Sequence, residues 1–288
     1  MTIHEAQQRL LFQLYDIYDD REAASIADWV MEHLTGWKKI DRILHKKVPL
    51  SQPKLEELES ITTQLMQHRP VHYILHQAWF YGMKLYVDEN VLIPRPETEE
   101  LVDWAINSWQ LLARSNSPQI LDVGTGSGCI PIALKKKLPQ AKVSACDISE
   151  GALKVAAKNA SEQGTEIALM QLDFLDKQER DKLAMFDVIV SNPPYISVQE
   201  RSEIDKHVVE YEPHTALFVP DDDSLVFYEH LADFGLTHLH PHGFMMMEIH
   251  YLKGEAVKQL FEAKGYSVEL KQDMQGKDRM IRVIGQRP

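Results

Sequence analysis

A chain of 288 residues with 43 carboxylates against 31 lysines and arginines has a formal net charge of −12, which disfavours a partner held by bulk attraction to a nucleic-acid backbone. With 44% hydrophobic and 26% charged residues and no low-complexity tract, it reads as a globular chain long enough for about two domains. Its two cysteines, Cys129 and Cys146, form neither a CxxC nor a metal-ligand spacing, and the charge-studded N-terminus is neither signal peptide nor membrane anchor, so a cytoplasmic protein without disulfides is expected.

From Met1 to about Pro70 the apolar residues recur at helical spacing: Leu10, Leu14 and Ile17, then Ile26, Trp29, Val30 and Leu34, then Leu55, Leu58, Ile61 and Leu65. Residues 1–72 are therefore expected to form a small all-α domain, its last long helix opening at Ser51 and Pro53. Between Tyr73 and Pro96, aromatic and β-branched residues flank Asp88-Glu89-Asn90, the pattern of a hairpin, so residues 73–96 are read as a linker. From Glu97 onward a helix over 97–113 leads into alternating strands and helices. Strands are expected at 119–123, 142–147, 166–173, 186–190 and 244–250, with two late runs near "YSVEL" and "RMIRVIG"; helices are expected at 127–138, 150–163, 224–239 and 253–264. This alternation predicts a mostly parallel α/β sheet over 97–288, with an antiparallel edge where the last two runs leave no room for a helix.

The stretch "ILDVGTGSGCI" places Gly124, Thr125, Gly126, Ser127 and Gly128 between the first strand and its helix, where glycines allow close approach of a ligand to the main chain. Cys129 stands where the dinucleotide fingerprint needs its last glycine, which disfavours a nicotinamide cofactor. Asp147 closes the second strand, where a carboxylate can accept from both ribose hydroxyls, and Asp173 and Phe174 close the third, suited to an adenine amino group and an adenine face. Each has a plain structural reading as turn former, helix cap or core residue. Together, at three successive strand ends, they point to a nucleoside.

The fourth strand ends in "SNPPYI". Prolines cannot continue a ladder, so the strand stops, and the X-Pro bonds hold Asn192 and Pro193 extended. The Asn192 side-chain oxygen and the Pro193 carbonyl would then be two fixed acceptors for an –NH₂ group, with Tyr195 stacked over its plane. A planar amide or aromatic amine is a poor nucleophile because its lone pair is delocalised. Gripping both N–H bonds would orient the nitrogen for in-line attack on a methyl group. Asn192, Pro193, Pro194 and Tyr195 are the expected catalytic and substrate-binding residues. His238, His240 and His242 in "HLHPH" read as a helix-to-strand turn rather than a metal site, Met245–Met247 as strand core, and Asp221–Asp223 as a solvated loop at a helix start. No metal is expected.

The segments "LIPRPETEELV" at 92–102, "ILDVGTGSGCI" at 120–130, "ACDIS" at 145–149, "VIVSNPPYI" at 188–196 and "YEPHTAL" at 211–217 resemble the release-factor glutamine methyltransferase family of class I S-adenosylmethionine-dependent methyltransferases. The resemblance implies a Rossmann-like sheet and methylation of the side-chain amide of the glutamine in the Gly-Gly-Gln motif of a peptide-chain release factor. By that resemblance Gly124–Gly128, Asp147, Asp173, Phe174 and Asn192 hold S-adenosylmethionine, Asn192–Tyr195 hold the glutamine with Arg95 and Glu97 as further substrate-binding residues, and Thr98 lies in the same segment near the pocket. The helical domain would contact the protein substrate; a monomer without nucleic-acid or membrane partner is expected. The competing reading is an adenine-N6 methyltransferase acting on DNA or RNA, which uses the same amine-gripping logic. The "VPDDDSL" stretch at 219–225 lacks the glycines that the family places after its "YEP" segment.

Overall fold

The computed structural model describes residues 1–112, 117–220 and 223–285, so Ala113, Asp221 and Asp222 of the segments read above lie outside it. The chain divides into two compact units, residues 1–76 with 206–211, and residues 77–205 with 212–288.

The first unit holds α1 (Ile3–Leu14), α2 (Asp20–Thr35), α3 (Lys39–Leu44), α4 (Gln52–Leu65) and α5 (Val71–Leu75), together with a later helix, 206–211. Caps set the ends: Thr2 and Glu5 form a reciprocal capping box at α1, and Asp19 accepts two backbone N–H groups at α2. Ser51 precedes α4 as expected but makes no side-chain cap bond. Leu10, Leu14, Ile26, Val30, Leu34, Leu58, Ile61 and Leu65 are buried in one core. Trp29 departs from its apolar stripe: it is 39% exposed, with its ring 5.1 Å from that of His72. The short α3 is inverted, burying Arg42 against Asp28 and the Trp37 carbonyl while Ile40, Ile43 and Leu44 face solvent. Tyr211, at the end of the later helix, donates its hydroxyl to the Gln67 carbonyl.

The second unit opens on a hairpin of β1 (Ala78–Phe80) and β2 (Met83–Leu85). Its turn is Tyr81-Gly82 rather than 88–90: both central residues have positive φ, as a two-residue hairpin loop requires, and Tyr81 is held there by a bond from its N–H to Glu99. Asp88 and Asn90 instead make a local side-chain turn.

After α6 (Pro96–Leu112) come β3 (Gln119–Val123), α7 (Cys129–Lys137), β4 (Lys142–Asp147), α8 (Glu150–Glu162), β5 (Ala168–Gln171), the single turn α9 (Lys177–Arg180) and β6 (Phe186–Ser191). The chain continues through the short β7 (Ile196–Ser197), α10 (Lys206–Tyr211, the helix of the first unit), α11 (His214–Leu217) and β8 (Phe218–Val219). It closes with α12 (Val226–His238), β9 (Leu239–Glu248), α13 (Gly254–Ala263), β10 (Tyr266–Gln272) and β11 (Asp278–Gly285). Seven strands form one mixed sheet in the order β10-β11-β9-β6-β3-β4-β5. The antiparallel edge is a pair in which β11 runs against both its neighbours and β10 lies outermost. Two apolar clusters cover the faces, one built on α6 and α7, the other on α12 and α13.

Strand β9 begins five residues before the expected 244. Phe186 pairs with Leu239 and Val188 with Phe244, so residues 240–243 bulge out of register. His242 takes φ 71° there, and Gly243 sits where a Cβ would come 2.7 Å from the Asp187 carbonyl. His240 and His242 thus belong to the bulge, while His238 ends α12, its ring stacked 4.2 Å from Phe234. Met245, Met246 and Met247 are fully buried. Among the described residues no group of three His, Cys, Asp or Glu could hold a metal ion, and no helix is long and apolar enough to cross a membrane.

Candidate functional site

Parallel register brings five strand ends level. Val123 of β3 lies beside Cys146 of β4 and Ser191 of β6, Asp147 beside Gln171 of β5, and Ser191 beside Met247 of β9. The loops leaving these ends line a cavity of about 380 Å³, within the range of small-ligand sites and on the side where open α/β sheets bind ligands.

The loop after β3 is anchored by backbone bonds from Gly124 and Thr125 to the Cys146 carbonyl. Gly124, Thr125, Gly126 and Ser127 line the cavity; Gly128 does not. Gly128 has φ +79°, and a Cβ there would lie 3.1 Å from that of Ala156, so this glycine serves the packing of α7 on α8. Asp147 accepts at Oδ2 from the Gly126 N–H at 2.9 Å and at Oδ1 from the Ser149 N–H at 2.9 Å. Ser149, not Asp147, caps α8. Each carboxylate oxygen keeps a further lone pair for a ligand hydroxyl. Burial holds the Asp147 carboxyl above the usual range, opposed by these backbone N–H groups.

Asp173 and Phe174 follow β5 and line the cavity, but Phe174 is only 5% exposed and packs edge-on against Phe234, 5.2 Å away. The wall also includes Ile148, which the sequence reading passed over. It is 56% exposed directly after the acid, an apolar surface turned outward beside a polar strand end.

Asn192, Pro193 and Pro194 line the opposite side. The Asn192 Nδ2 donates to Thr98 Oγ1 at 3.1 Å. Among the described residues no hydrogen bond is accepted by Asn192 Oδ1 or by the Pro193 carbonyl. Tyr195 is not in the wall: its hydroxyl donates to Glu248 Oε1 at 3.1 Å and its ring lies 5.9 Å from that of His250. Glu97 is also absent from the wall, whereas Arg95 and Thr98 contribute to it. Arg95 pairs with the buried Glu212, which also accepts from the Ile93 N–H at 3.1 Å. The segments 92–102 and 211–217 are thereby tied together at the cavity.

Asp122, one residue before the end of β3, was also passed over. It is fully buried, with neither carboxyl oxygen hydrogen-bonded among the described residues. Burial, and then the nearby charge of Asp147, push it up to about 7 against the pull of the Thr125 hydroxyl. A carboxyl whose folded pKa is raised keeps its proton where the unfolded chain has lost it, so stability falls as pH rises from about 4 to about 7 and the loss is complete above that. Thermal unfolding of wild type and Asp122→Asn, followed across pH 4–8, should show the variant's relative stability growing through this window, by at most about 4 kcal/mol. A constant difference would remove Asp122 from that limb.

The charged side chains in the lining among the described residues, Asp147 and Asp173 against an Arg95 already paired with Glu212, suit a cationic nucleoside better than an anionic one. S-adenosylmethionine fits this donor set and the open space above Gly124 and Gly126.

Comparison with known proteins agrees with this chemistry. The model of a methyltransferase small domain matches residues 109–213, and that of a PrmC N-terminal domain matches residues 5–75. A release factor glutamine methyltransferase of Flavobacterium psychrophilum is 40% identical over 284 residues, covering 98% of this chain and 99% of that one. One from Lactococcus lactis is 40% identical over 260 residues, covering 89% and 92%. Among solved structures, the hMettl16 catalytic domain in complex with a MAT2A 3′UTR hairpin is similar with a TM-score of 0.55 at 14% identity, covering 81% of this chain and 82% of that one. A methyltransferase from Pyrococcus furiosus has a TM-score of 0.50 at 16% identity, covering 79% and 99%. At such identities the likeness shows the sheet fold alone.

Proposed function

The chain belongs to the release factor glutamine methyltransferase family, and on that premise we propose that it methylates the side-chain amide nitrogen of the glutamine in the Gly-Gly-Gln motif of a peptide-chain release factor, using S-adenosylmethionine. The observation that carries this reading is the pair of unclaimed acceptors, Asn192 Oδ1 and the Pro193 carbonyl, held at the wall of a cavity that also presents Asp147 and the glycine loop.

S-adenosylmethionine supplies an electrophilic methyl group when bound. Gly124–Ser127 would let it approach the main chain, Asp147 would accept from ribose hydroxyls, and Asp173, Phe174 and Ile148 would border the adenine. Asn192 and Pro193 do the orienting: each accepts one N–H of the substrate amide, so the nitrogen is fixed in direction and can leave planarity without losing a hydrogen bond. Pro194 stiffens this corner. Tyr195, bonded to Glu248, supports it from behind instead of stacking on the substrate. Arg95, through Glu212, holds the loop that closes one side.

The helical unit is proposed to contact the release factor. Two free, buried cysteines are in keeping with a reducing compartment, and we place the protein in the cytoplasm as a monomer. The nucleic-acid reading is not favoured: the relatives at 40% identity carry the release-factor name, and the net charge is −12. Labelled methyl transfer from S-adenosylmethionine should mark a Gly-Gly-Gln-containing release factor at the glutamine, and neither its Gly-Gly-Ala variant nor DNA or RNA. Label on nucleic acid alone would overturn the reading.

A further inference from the structure

Three elements outside the glycine loop meet behind Asn192: the first turn of α6, the end of β9 and the chain leaving β6. Thr98 and Glu248 are both 2% exposed, and Thr98 Oγ1 lies 2.7 Å from Glu248 Oε2 and 3.1 Å from Asn192 Nδ2. The two ends of a carboxamide are nearly alike in shape, so partners decide which end faces where.

We propose that Thr98 and Glu248 are positioning residues, which fix the Asn192 carboxamide with its oxygen toward the substrate by committing the only hydroxyl proton of Thr98 to the Glu248 carboxylate. This deepens the glutamine-methylation reading and rests on it. An ionised carboxylate only accepts, so Thr98 donates to it and is left with lone pairs facing Asn192. Those lone pairs accept from Nδ2–H and repel Oδ1. The rejected oxygen is thereby turned to the cavity, where an incoming –NH₂ needs an acceptor. The reversed amide would present its own N–H groups to the substrate nitrogen, opposing the grip the reaction needs. The same carboxylate accepts from Tyr195 at its other oxygen, so one buried charge holds both ends of the Asn-Pro-Pro-Tyr corner.

The surroundings of Glu248 bear on its charge. The Thr98 and Tyr195 hydroxyls and the Arg279 guanidinium favour the carboxylate; burial, the largest influence, and Glu97 disfavour it. Arg279 is itself paired with Asp273, and the Tyr228 hydroxyl donates to the Glu248 backbone carbonyl rather than to its side chain. Protonation of Glu248 lets it donate to Thr98, whose proton then turns toward Asn192 and releases the preference.

The test compares wild type, Thr98→Ser and Thr98→Val in methyl transfer to a release factor, with cofactor affinity and melting temperature measured on the same preparations. Thr98→Val keeps the shape and removes the hydroxyl that both donates to Glu248 and accepts from Asn192. Its kcat should fall by about 30-fold or more, while release-factor KM and cofactor Kd stay within about threefold. Thr98→Ser should recover kcat to within about threefold of wild type. Wild type and Thr98→Ser should share an acidic limb in kcat that Thr98→Val lacks. An active wild type with an undiminished Thr98→Val, or Thr98→Ser as impaired as Thr98→Val, overturns the positioning role alone. A wild type that leaves the release factor unlabelled overturns the function and this role with it.

Discussion

Asn192→Ala should lower kcat for release-factor methylation by about 10²-fold or more, the scale for losing one positioned polar group in a site that stabilises developing charge. The residue lies at the cavity wall, its nitrogen held by Thr98 at 3.1 Å and its oxygen unclaimed among the described residues. Removing the side chain leaves the Pro193 carbonyl as one acceptor for a group with two N–H bonds. The substrate nitrogen can then rotate about the remaining bond, and its lone pair no longer has a fixed direction. Cofactor affinity should change far less, since the glycine loop and Asp147 are anchored to β4 and not to β6. Single-turnover transfer, with S-adenosylhomocysteine binding measured by calorimetry on the same protein, separates the two effects. A variant that transfers methyl at the wild-type rate removes Asn192 from the chemistry; one that binds neither cofactor nor substrate assigns it to the cofactor side.

The features legible in the sequence share a property: each is carried by adjacent residues. A glycine loop between a strand and a helix, an acid at the next strand end and a proline pair closing a third strand are local patterns, and the parallel register places them together because βαβ connections allow few alternatives. Apart from Asp122 and Ile148, which sit inside those local motifs, what escaped depends on contacts between distant segments. Nothing local in "RPETE" shows that Thr98 meets Glu248, 150 positions on, or that Arg95 meets Glu212. The local sign in the sequence is Glu248, an acid that closes the apolar run 244–247. The hairpin turn was misplaced for a different reason. Asp88-Glu89-Asn90 has turn composition, but the strands pair around Tyr81-Gly82, where tertiary support from Glu99 lets a tyrosine hold a positive φ that its intrinsic preference opposes. An aromatic beside prolines reads as an exposed stacking residue, which is the expectation for Tyr195. A buried carboxylate, invisible at that range, drew its hydroxyl inward.

Two glycines of one loop should fail in opposite ways, and the difference separates what the loop does for the fold from what it does for the ligand. Gly128 has φ +79°, and an added Cβ would lie 3.1 Å and 3.2 Å from atoms of Ala156 and 3.3 Å from Ile132. Gly128→Ala therefore combines about 1–2 kcal/mol of left-handed backbone strain with crowding that α7 and α8 can relieve only by moving apart, a further 1–3 kcal/mol or so. The unfolding transition should drop by roughly 4–20 °C on the scale for domains of this size. Gly126 has φ +53° and nothing within 4 Å of an added Cβ. Gly126→Ala then carries backbone strain alone, with a melting point lower by only a few degrees. Its methyl, however, would occupy the cavity beside the N–H that Asp147 accepts, so S-adenosylhomocysteine affinity should weaken by about tenfold or more, equivalent to 1.4 kcal/mol. Calorimetry and thermal melts of both variants decide the matter. If Gly126→Ala bound cofactor as tightly as wild type, the loop would be a turn and not a cradle, and the assignment of the cavity to S-adenosylmethionine would lose its main-chain half.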